Sequence, residues 1–570
     1  MCVDGVRKWK KRKKGKFDFQ NVISYTRKER VSIIGGQKDM GIYLNAGYEK
    51  FARTVRSKIY IDKTGLLEYI NSVIDTDDGY ICLSRPRRFG KSIAAAMLSA
   101  YYGRGENAKK IFDSLAIAKA ENYAEHLNQY DVIQVDMNVF RHRRDVETES
   151  SISAKKAVSL FHQEVIEELK EAYPECLTDE DGDLPSALTK VYRHTGIKFV
   201  IIIDEWDTIF REDKYDYEAQ KLYIELLRGL FKNDTSKEFL ALGYLTGILP
   251  IKKYGTESAL NNFDEFTMIN PQPLEEYVGF TEQEVYDLFQ EYHMDFEEAK
   301  RWYDGYMMGE DIHIYNPKSV VDSVRRKRIT NYWTRTETYE SLRNYITMNY
   351  DGLKDAVIEM LAGGRCVVNP DKFQNDMTSF ASKDDILALL IHLGYLGYDY
   401  TSQEVYIPNE EIRSEFKNAV EGSGWTPVID AMEASKQLLN ATWELDEEAV
   451  AAGIEQVHME NVSVLKYNDE NSLSCVITLA YYHAKNEYTL IREMPTGKGY
   501  ADIVFRPRKK SDKPAMIVEL KCGSTVQGAI AQIKEKKYTE KLEEYKGNML
   551  LVGIEYDKET KKHRCMIEKA

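Results

Sequence analysis

Residues 85–92 read RPRRFGKS, set between the apolar run YICLS at 80–84 and the helical run IAAAMLSAYY. A glycine, a lysine and a hydroxyl at a strand-to-helix turn make a loop whose backbone N–H groups can cradle phosphate oxygens. Lys91 would reach the β- and γ-phosphates of ATP, and the Ser92 hydroxyl would ligate Mg2+. The loop departs from GxxxxGK[ST], because Arg85 stands where that pattern has its first glycine. Arg85, Arg87 and Arg88 complete the candidate nucleotide contacts. Arg87 and Arg88 either add positive charge near the phosphates or are simply solvated.

A second motif lies about 110 residues downstream. FVIIIDEWD ends an apolar strand in Asp204 and Glu205. Acidic residues at the C-terminal end of a strand point into the crevice where α/β sheets bind ligands. Asp204 would hold Mg2+ through water, since this ion dehydrates reluctantly. Glu205 would orient or deprotonate the attacking water. A third strand ends in LTG, where Thr246 either senses the γ-phosphate or is only a good strand former.

A third constellation closes the chain. GKGYADIVF places Asp502 in a strand, and AMIVELK places Glu519 and Lys521 in the next. Strand side chains alternate, so Glu519 and Lys521 share a face that Leu520 does not. Two carboxylates there would hold Mg2+, and Lys521 would position or activate water for in-line attack on a phosphodiester. Glu470 joins them as a candidate, at i−3 from Leu473 on the apolar face of the preceding helix. In AIAQIKEKKY, Gln532 and Lys536 are i,i+4 neighbours that could contact a nucleic-acid backbone. Gln532 also belongs to the candidate catalytic set. The plainer alternative is an edge-strand salt bridge beside a solvated lysine-rich helix.

Elements that could position these residues follow from periodicity. YICLS, DVIQVDM, FVIIIDE and FLALGYLTG alternate with helical stretches, which predicts a parallel sheet with helices on both faces across 40–273. Residues 274–330 read as a small helical lid or winged-helix-like region, opened by the cap TEQE. A mostly helical linker domain is expected over 331–455, with a hairpin through YDYTSQEVYI. Residues 456–570 read helix, three strands, helix. RKWKKRKKGK at 7–16 marks 1–39 as a basic extension, unstructured or touching nucleic acid, and outside the fold.

Composition limits the classes. At about 150 residues per domain, 570 residues suggest about four domains. No apolar run approaches the ~18 residues of a membrane span. Seven cysteines without a CxxC pair argue against a zinc ribbon or a disulfide scaffold and fit a reducing cytoplasm. A net charge of −14 excludes a uniformly basic nucleic-acid coat. Residues 501–570 still carry 16 Lys and Arg against 11 Asp and Glu, which suits a phosphate polymer.

Taken in order, YIDKTGLLEYI, RPRRFGKS, VIIIDEWD, YLTGI, RWYDGY, IYNPKSVV, YIPNEEIR, GKGYADIVF, IVELK and AIAQIKEKKY resemble a bacterial family. That family joins an AAA-ATPase-like N-terminal domain to a C-terminal PD-(D/E)XK nuclease-superfamily domain. The resemblance implies a P-loop ATPase core followed by a restriction-endonuclease-like α/β domain. It implies nucleotide contacts at Gly90, Lys91 and Ser92, Mg2+ and water chemistry at Asp204 and Glu205, and a nuclease-type site at Asp502, Glu519 and Lys521. Members look like mobile-element or defence proteins. The expected function is ATP binding and hydrolysis coupled to Mg2+-dependent cleavage of nucleic acid, DNA rather than RNA. An arginine supplied by a neighbour would imply a homo-oligomer, a ring or a dimer, but no single arginine stands out. The alternative is a nucleotide-driven switch or assembly protein whose C-terminal domain binds nucleic acid or partners without cutting. RWYDGY at 301–306 has no chemical role in either reading beyond an Asp-Gly turn packed by aromatics.

Overall fold

A computed structural model describes residues 41–105, 107–145, 150–251, 253–254, 257–258, 260–309, 312–333, 339–348, 350–361, 364–375, 377–421, 426–461, 470–496, 499–508, 511–522, 525–536, 538–557 and 560–570. The basic stretch at 7–16 lies outside them. The chain separates into two compact units. One uses residues up to Tyr80 with Ser92–Asp204 and Leu222–Tyr244, and the other uses Ile81–Lys91, Glu205–Lys221 and Leu245–Ala570. No helix among the described residues is long and apolar enough to cross a membrane.

The four expected strands form: β1 (Tyr80–Ser84), β2 (Asp131–Asp136), β3 (Phe199–Asp204) and β4 (Leu240–Gly247). A fifth, β5 (Asp264–Phe266), was not legible as a strand in the sequence. The order is β2-β3-β4-β1-β5, and β2 with β3 and β1 with β5 pair in parallel. Every residue of β1, β3 and β4 is buried. Full burial is what an apolar strand covered on both faces requires, and it explains why FVIII runs without alternation. Helix α1 (Lys91–Tyr102) begins where RPRRFGKS ends.

Between the two ends of the chain, helices α2 (Glu282–Glu291), α3 (Phe296–Tyr303) and α4 (Pro317–Arg326) accompany a small antiparallel sheet. Its strands are β6 (Phe280–Thr281), β7 (Tyr306–Met308) and β8 (Ile312–Tyr315), in the order β6-β8-β7. The TEQE cap is a capping box, with Thr281 and Glu284 each bonded to the other's backbone N–H. The expected hairpin pairs Gly397–Asp399 with Glu404–Tyr406.

The C-terminal part contains helices α5 (Glu447–Asn461), α6 (Glu470–Ala480) and α7 (Val526–Glu535). Its five strands are β9 (Tyr488–Thr496), β10 (Gly499–Pro507), β11 (Ala515–Cys522), β12 (Met549–Asp557) and β13 (Lys562–Lys569), in sequence order across the sheet. The last two strands correct the expectation that this region ends in a helix. β11 and β12 are parallel while the other pairs are antiparallel. A parallel pair needs a crossover, and α7 supplies it.

That crossover decides which face carries chemistry. Met516, Val518 and Leu520 pack with Leu473, Val476 and Ile477 of α6. Ala515 and Ile517 pack instead with Ile530 and Ile533 of α7. Glu519 and Lys521 continue the second set by parity, so they share the face that α7 covers. Gly553 on β12 permits the close approach. A Cβ there would stand 2.9 Å from the Val526 carbonyl and 3.1 Å from the Ala529 Cβ.

Candidate functional site

The phosphate-loop sequence folds into a strand–loop–helix turn with two left-handed residues, Arg88 at φ 71° and Gly90 at φ 105°. Gly90 has no heavy atom near its absent side chain, so backbone conformation rather than crowding favours glycine there. Lys91 is 4% exposed, and its ammonium donates to the carbonyls of Arg85 at 3.0 Å and Pro86 at 3.1 Å. The same nitrogen stands 3.7 Å from Glu205 Oε1. Ser92 is exposed at the start of α1.

Glu205 follows Asp204, the buried last residue of β3, and adopts φ 51°. Its second oxygen accepts from Arg211 Nη2 at 2.5 Å. Arg211, 6% exposed on its side chain, also bonds Asp207 at 2.9 Å. Asp207 Oδ2 accepts the backbone N–H groups of Ile248 and Leu249, just beyond β4. Lys91, Glu205, Arg211 and Asp207 therefore form one alternating chain of charge. Sequence reasoning missed Asp207, whose role depends on the fold bringing β4's end to it, and Arg211, whose partners Glu205 and Asp207 are near in sequence. Thr246 is fully buried near that end, and its hydroxyl has no hydrogen-bond partner among the described residues.

Arg85 corrects the first reading. It is fully buried, and its guanidinium donates to the carbonyls of Ser84, Phe266, Thr267 and Leu274. Donors committed to four carbonyls are not offered to a phosphate. The residue fastens the loop to segment 266–274 instead. Arg87 is exposed and Arg88 half-buried. Arg85→Met is expected to lower stability by about 3 kcal/mol or more, since it strands several buried carbonyls. Thermal unfolding without nucleotide checks this, and an unchanged midpoint would contradict it.

At the other end of the chain, Asp502 and Glu519 stand one step beyond the last antiparallel pair of β10 and β11, Ile503 with Val518. Asp502 Oδ2 accepts the Leu520 N–H at 2.8 Å, so a side chain replaces the next ladder bond there. Glu519 is 1% exposed. Its Oε1 receives Lys521 Nζ at 3.0 Å and the Gln532 side-chain amide. Gln532 also donates to the Tyr538 hydroxyl at 3.3 Å. Glu519 Oε2 is buried without a hydrogen bond among the described residues. Burial, and then the charge of Asp502, pushes the Glu519 carboxyl up to about 7, while Lys521 pulls it partly back.

Residues 46–256 match the family described as Predicted AAA-ATPase, and residues 468–565 match the PD-(D/E)XK nuclease superfamily. The chain joins these two domains. An uncharacterised protein in the vnfD 5′ region of Azotobacter chroococcum mcd 1 is 24% identical over 299 residues. The match covers 50% of this chain and 52% of that one, so the chain spans about half the length of the curated relative it matches. Among solved structures, the ORC2 protein of Aeropyrum pernix in ADPNP–ADP complexes is 12% identical, covering 65% of this chain and 98% of that chain, with TM-score 0.28. Cdc6p from Pyrobaculum aerophilum is 10% identical, with coverage of 65% and 98% and TM-score 0.18. Overlaps this loose carry no argument about either site.

Within the nuclease-superfamily domain, the fold gathers Asp502, Glu519, Lys521 and Gln532. Glu470 opens α6, and its side chain lies outside the described residues. Glu555 was missed. It is registered opposite Lys521 on β12, 7% exposed, and adds a third carboxylate to that face. A parallel pairing across a helical crossover leaves no short-range signal, although an acidic residue in MLLVGIEYD was a hint.

Proposed function

We propose that the AAA-ATPase domain binds and hydrolyses ATP, and that the nuclease-superfamily domain cuts nucleic-acid phosphodiesters with Mg2+, DNA before RNA. The observation that carries the second half is Glu519 Oε2, a buried carboxylate oxygen without a hydrogen bond among the described residues, close enough to the Asp502 carboxylate to feel its charge. Hard oxygen donors of this kind fit Mg2+ or Mn2+. Asp502 and Glu519 would hold the ion. When bound, it would supply charge stabilisation at the phosphate and a more acidic water.

The chain's own groups have distinct tasks. Gln532 and Lys521 fix Glu519 through Oε1, which leaves Oε2 directed elsewhere. Lys521 is half-buried and keeps N–H donors beyond the one on Glu519, so it would hold the attacking water or a phosphate oxygen. In the ATPase domain, Gly90, Lys91 and Ser92 would take the phosphates, with Asp204 and Ser92 on Mg2+ and Thr246 toward the γ-phosphate. Lys91 would exchange its loop carbonyls and Glu205 for phosphate oxygens. Glu205 would then lose a neighbouring cation and become a better partner for water.

The test is cleavage of circular DNA, linear DNA and RNA in Mg2+ or Mn2+, with and without ATP, by wild type and Lys521→Ala. Cutting that needs metal and Lys521 is expected. No cutting of any substrate alongside intact ATP hydrolysis would overturn the nuclease half and favour a switch that only binds.

A pH dependence follows from the Glu519 carboxyl. A group titrating near 7 holds its proton below that pH and offers no charge to a cation. Mn2+ affinity in the nuclease domain should therefore be about tenfold weaker at pH 6 than at pH 8. Titration of nucleotide-free protein at the two pH values reads it directly, and equal affinities would contradict a raised Glu519.

A further inference from the structure

The RWYDGY turn, unused in either domain's chemistry, builds a second cluster of metal-ligating groups. A carboxylate oxygen of Glu282, one of Asp304 and a ring nitrogen of His313 all lie within 4.8 Å of one another. His313 Nδ1 is 3.0 Å from each oxygen of Asp304. Donors bonded to one cation at about 2.1 Å and at right angles stand about 3 Å apart, the spacing His313 and Asp304 already have, while Glu282 lies within 4.8 Å of both.

Three different elements supply the donors. Glu282 is the first residue of α2, Asp304 follows α3, and His313 lies on β8. The main chain between them is pinned. Gly305 has φ 102°, and a Cβ there would stand 2.1 Å from the Pro408 carbonyl. Asn409 Nδ2 donates to the Asp304 carbonyl at 2.7 Å, and the Tyr306 hydroxyl donates to Gly394 at 2.7 Å. Asp304 is thus held rigidly at 7% exposure, while Glu282 and His313 remain partly open to solvent. Such an arrangement is preorganised and still has an entry side.

Charge favours a cation. Lys300 contacts Glu282 Oε2 at 2.9 Å, and Tyr315 contacts the same oxygen at 3.4 Å. A carboxylate has a second oxygen, and Lys300 neutralises only one of the two acids.

We propose that Glu282, Asp304 and His313 form a divalent-cation site, distinct in its residues from the nucleotide and nuclease sites. One imidazole nitrogen with carboxylate oxygens selects the first-row ions from Mn2+ to Zn2+ over Mg2+. The site fixes the turn that joins α3 to β7.

The test is Mn2+ titration of nucleotide-free full-length protein, with free Mn2+ read by electron paramagnetic resonance. Glu519→Gln serves as the parent, so that the nuclease ligand is removed first. Adding His313→Ala, Asp304→Asn or Glu282→Gln should each remove one bound equivalent or weaken it at least tenfold. His313 and Glu282 are partly exposed, so two of the three variants keep the fold at little risk. Lys300→Met should tighten the same site by removing a competing cation. Equal binding by the parent and all three ligand variants would overturn the proposal and leave a His–Asp and a Lys–Glu ion pair.

Discussion

Glu519→Gln is expected to lower metal-dependent cleavage by about 10^3-fold and, at the same time, to stabilise the protein at pH 8. The two effects share one cause. Glu519 is buried, its Oε2 has no hydrogen bond among the described residues, and its carboxyl is pushed from the ordinary 4.5 up to about 7. A folded-state pKa above the unfolded one means that the fold prefers the protonated acid. Wild type therefore loses stability as pH rises from about 4.5 to about 7, and the cost above that range is about 3 kcal/mol. An amide of the same shape avoids that cost and can keep the Oε1 contacts of Lys521 and Gln532. Near pH 5 the two proteins should differ by less than about 1 kcal/mol. Metal-free denaturation at both pH values, read on the transition of the C-terminal domain, measures the difference. A variant that loses cleavage but gains nothing at pH 8 would show that Glu519 does not carry a buried, raised carboxyl.

The same residue shows what was legible beforehand. Strand alternation alone put Glu519 and Lys521 on one face, and the apolar runs at 80–84, 131–136, 199–204 and 240–247 all became strands. Those inferences needed only neighbours in sequence. β5 escaped because Asp264–Phe266 is short and polar, and becomes a strand only by pairing with β1. β12 and β13 escaped because the reading stopped at the lysine-rich helix, although MLLVGIEYD is apolar enough for a buried strand. Arg85 was misread for a different reason. Residue type in an irregular loop says what a side chain can bind, not which way it turns, and here segment 266–274 offers carbonyls from far along the chain. Asp207 and Glu555 were missed for the same long-range reason, whereas Arg211 had its partners Asp207 and Glu205 close by in sequence. His313 sits nine residues after Asp304, and their meeting depends on the Gly305 turn and the pairing of β7 with β8.

Lys91→Ala should weaken ATP binding by about 10^2-fold, equivalent to about 3 kcal/mol, because charge-assisted hydrogen bonds to phosphate oxygens are lost. The figure depends on what Lys91 does without nucleotide. It is already buried, bonded to two loop carbonyls and 3.7 Å from Glu205. Binding therefore exchanges partners rather than creating them, and the net effect is the excess of phosphate over carbonyl and carboxylate. Two triphosphate oxygens with fixed negative charge outmatch two neutral carbonyls in a site of low water content. Removing Lys91 also takes one cation away from Glu205, which keeps its ion pair with Arg211. Glu205 then has the same neighbours with and without nucleotide as far as residue 91 is concerned, so any residual hydrolysis should no longer respond to the lysine's movement. ATP with Mg2+ should raise the thermal midpoint of wild type and leave that of Lys91→Ala unmoved at the same concentration. Equal shifts in the two proteins would remove Lys91 from the phosphate site. If the two ends of the chain are coupled, ATP should also change cleavage by wild type but not by this variant, whose Asp502, Glu519 and Lys521 are intact.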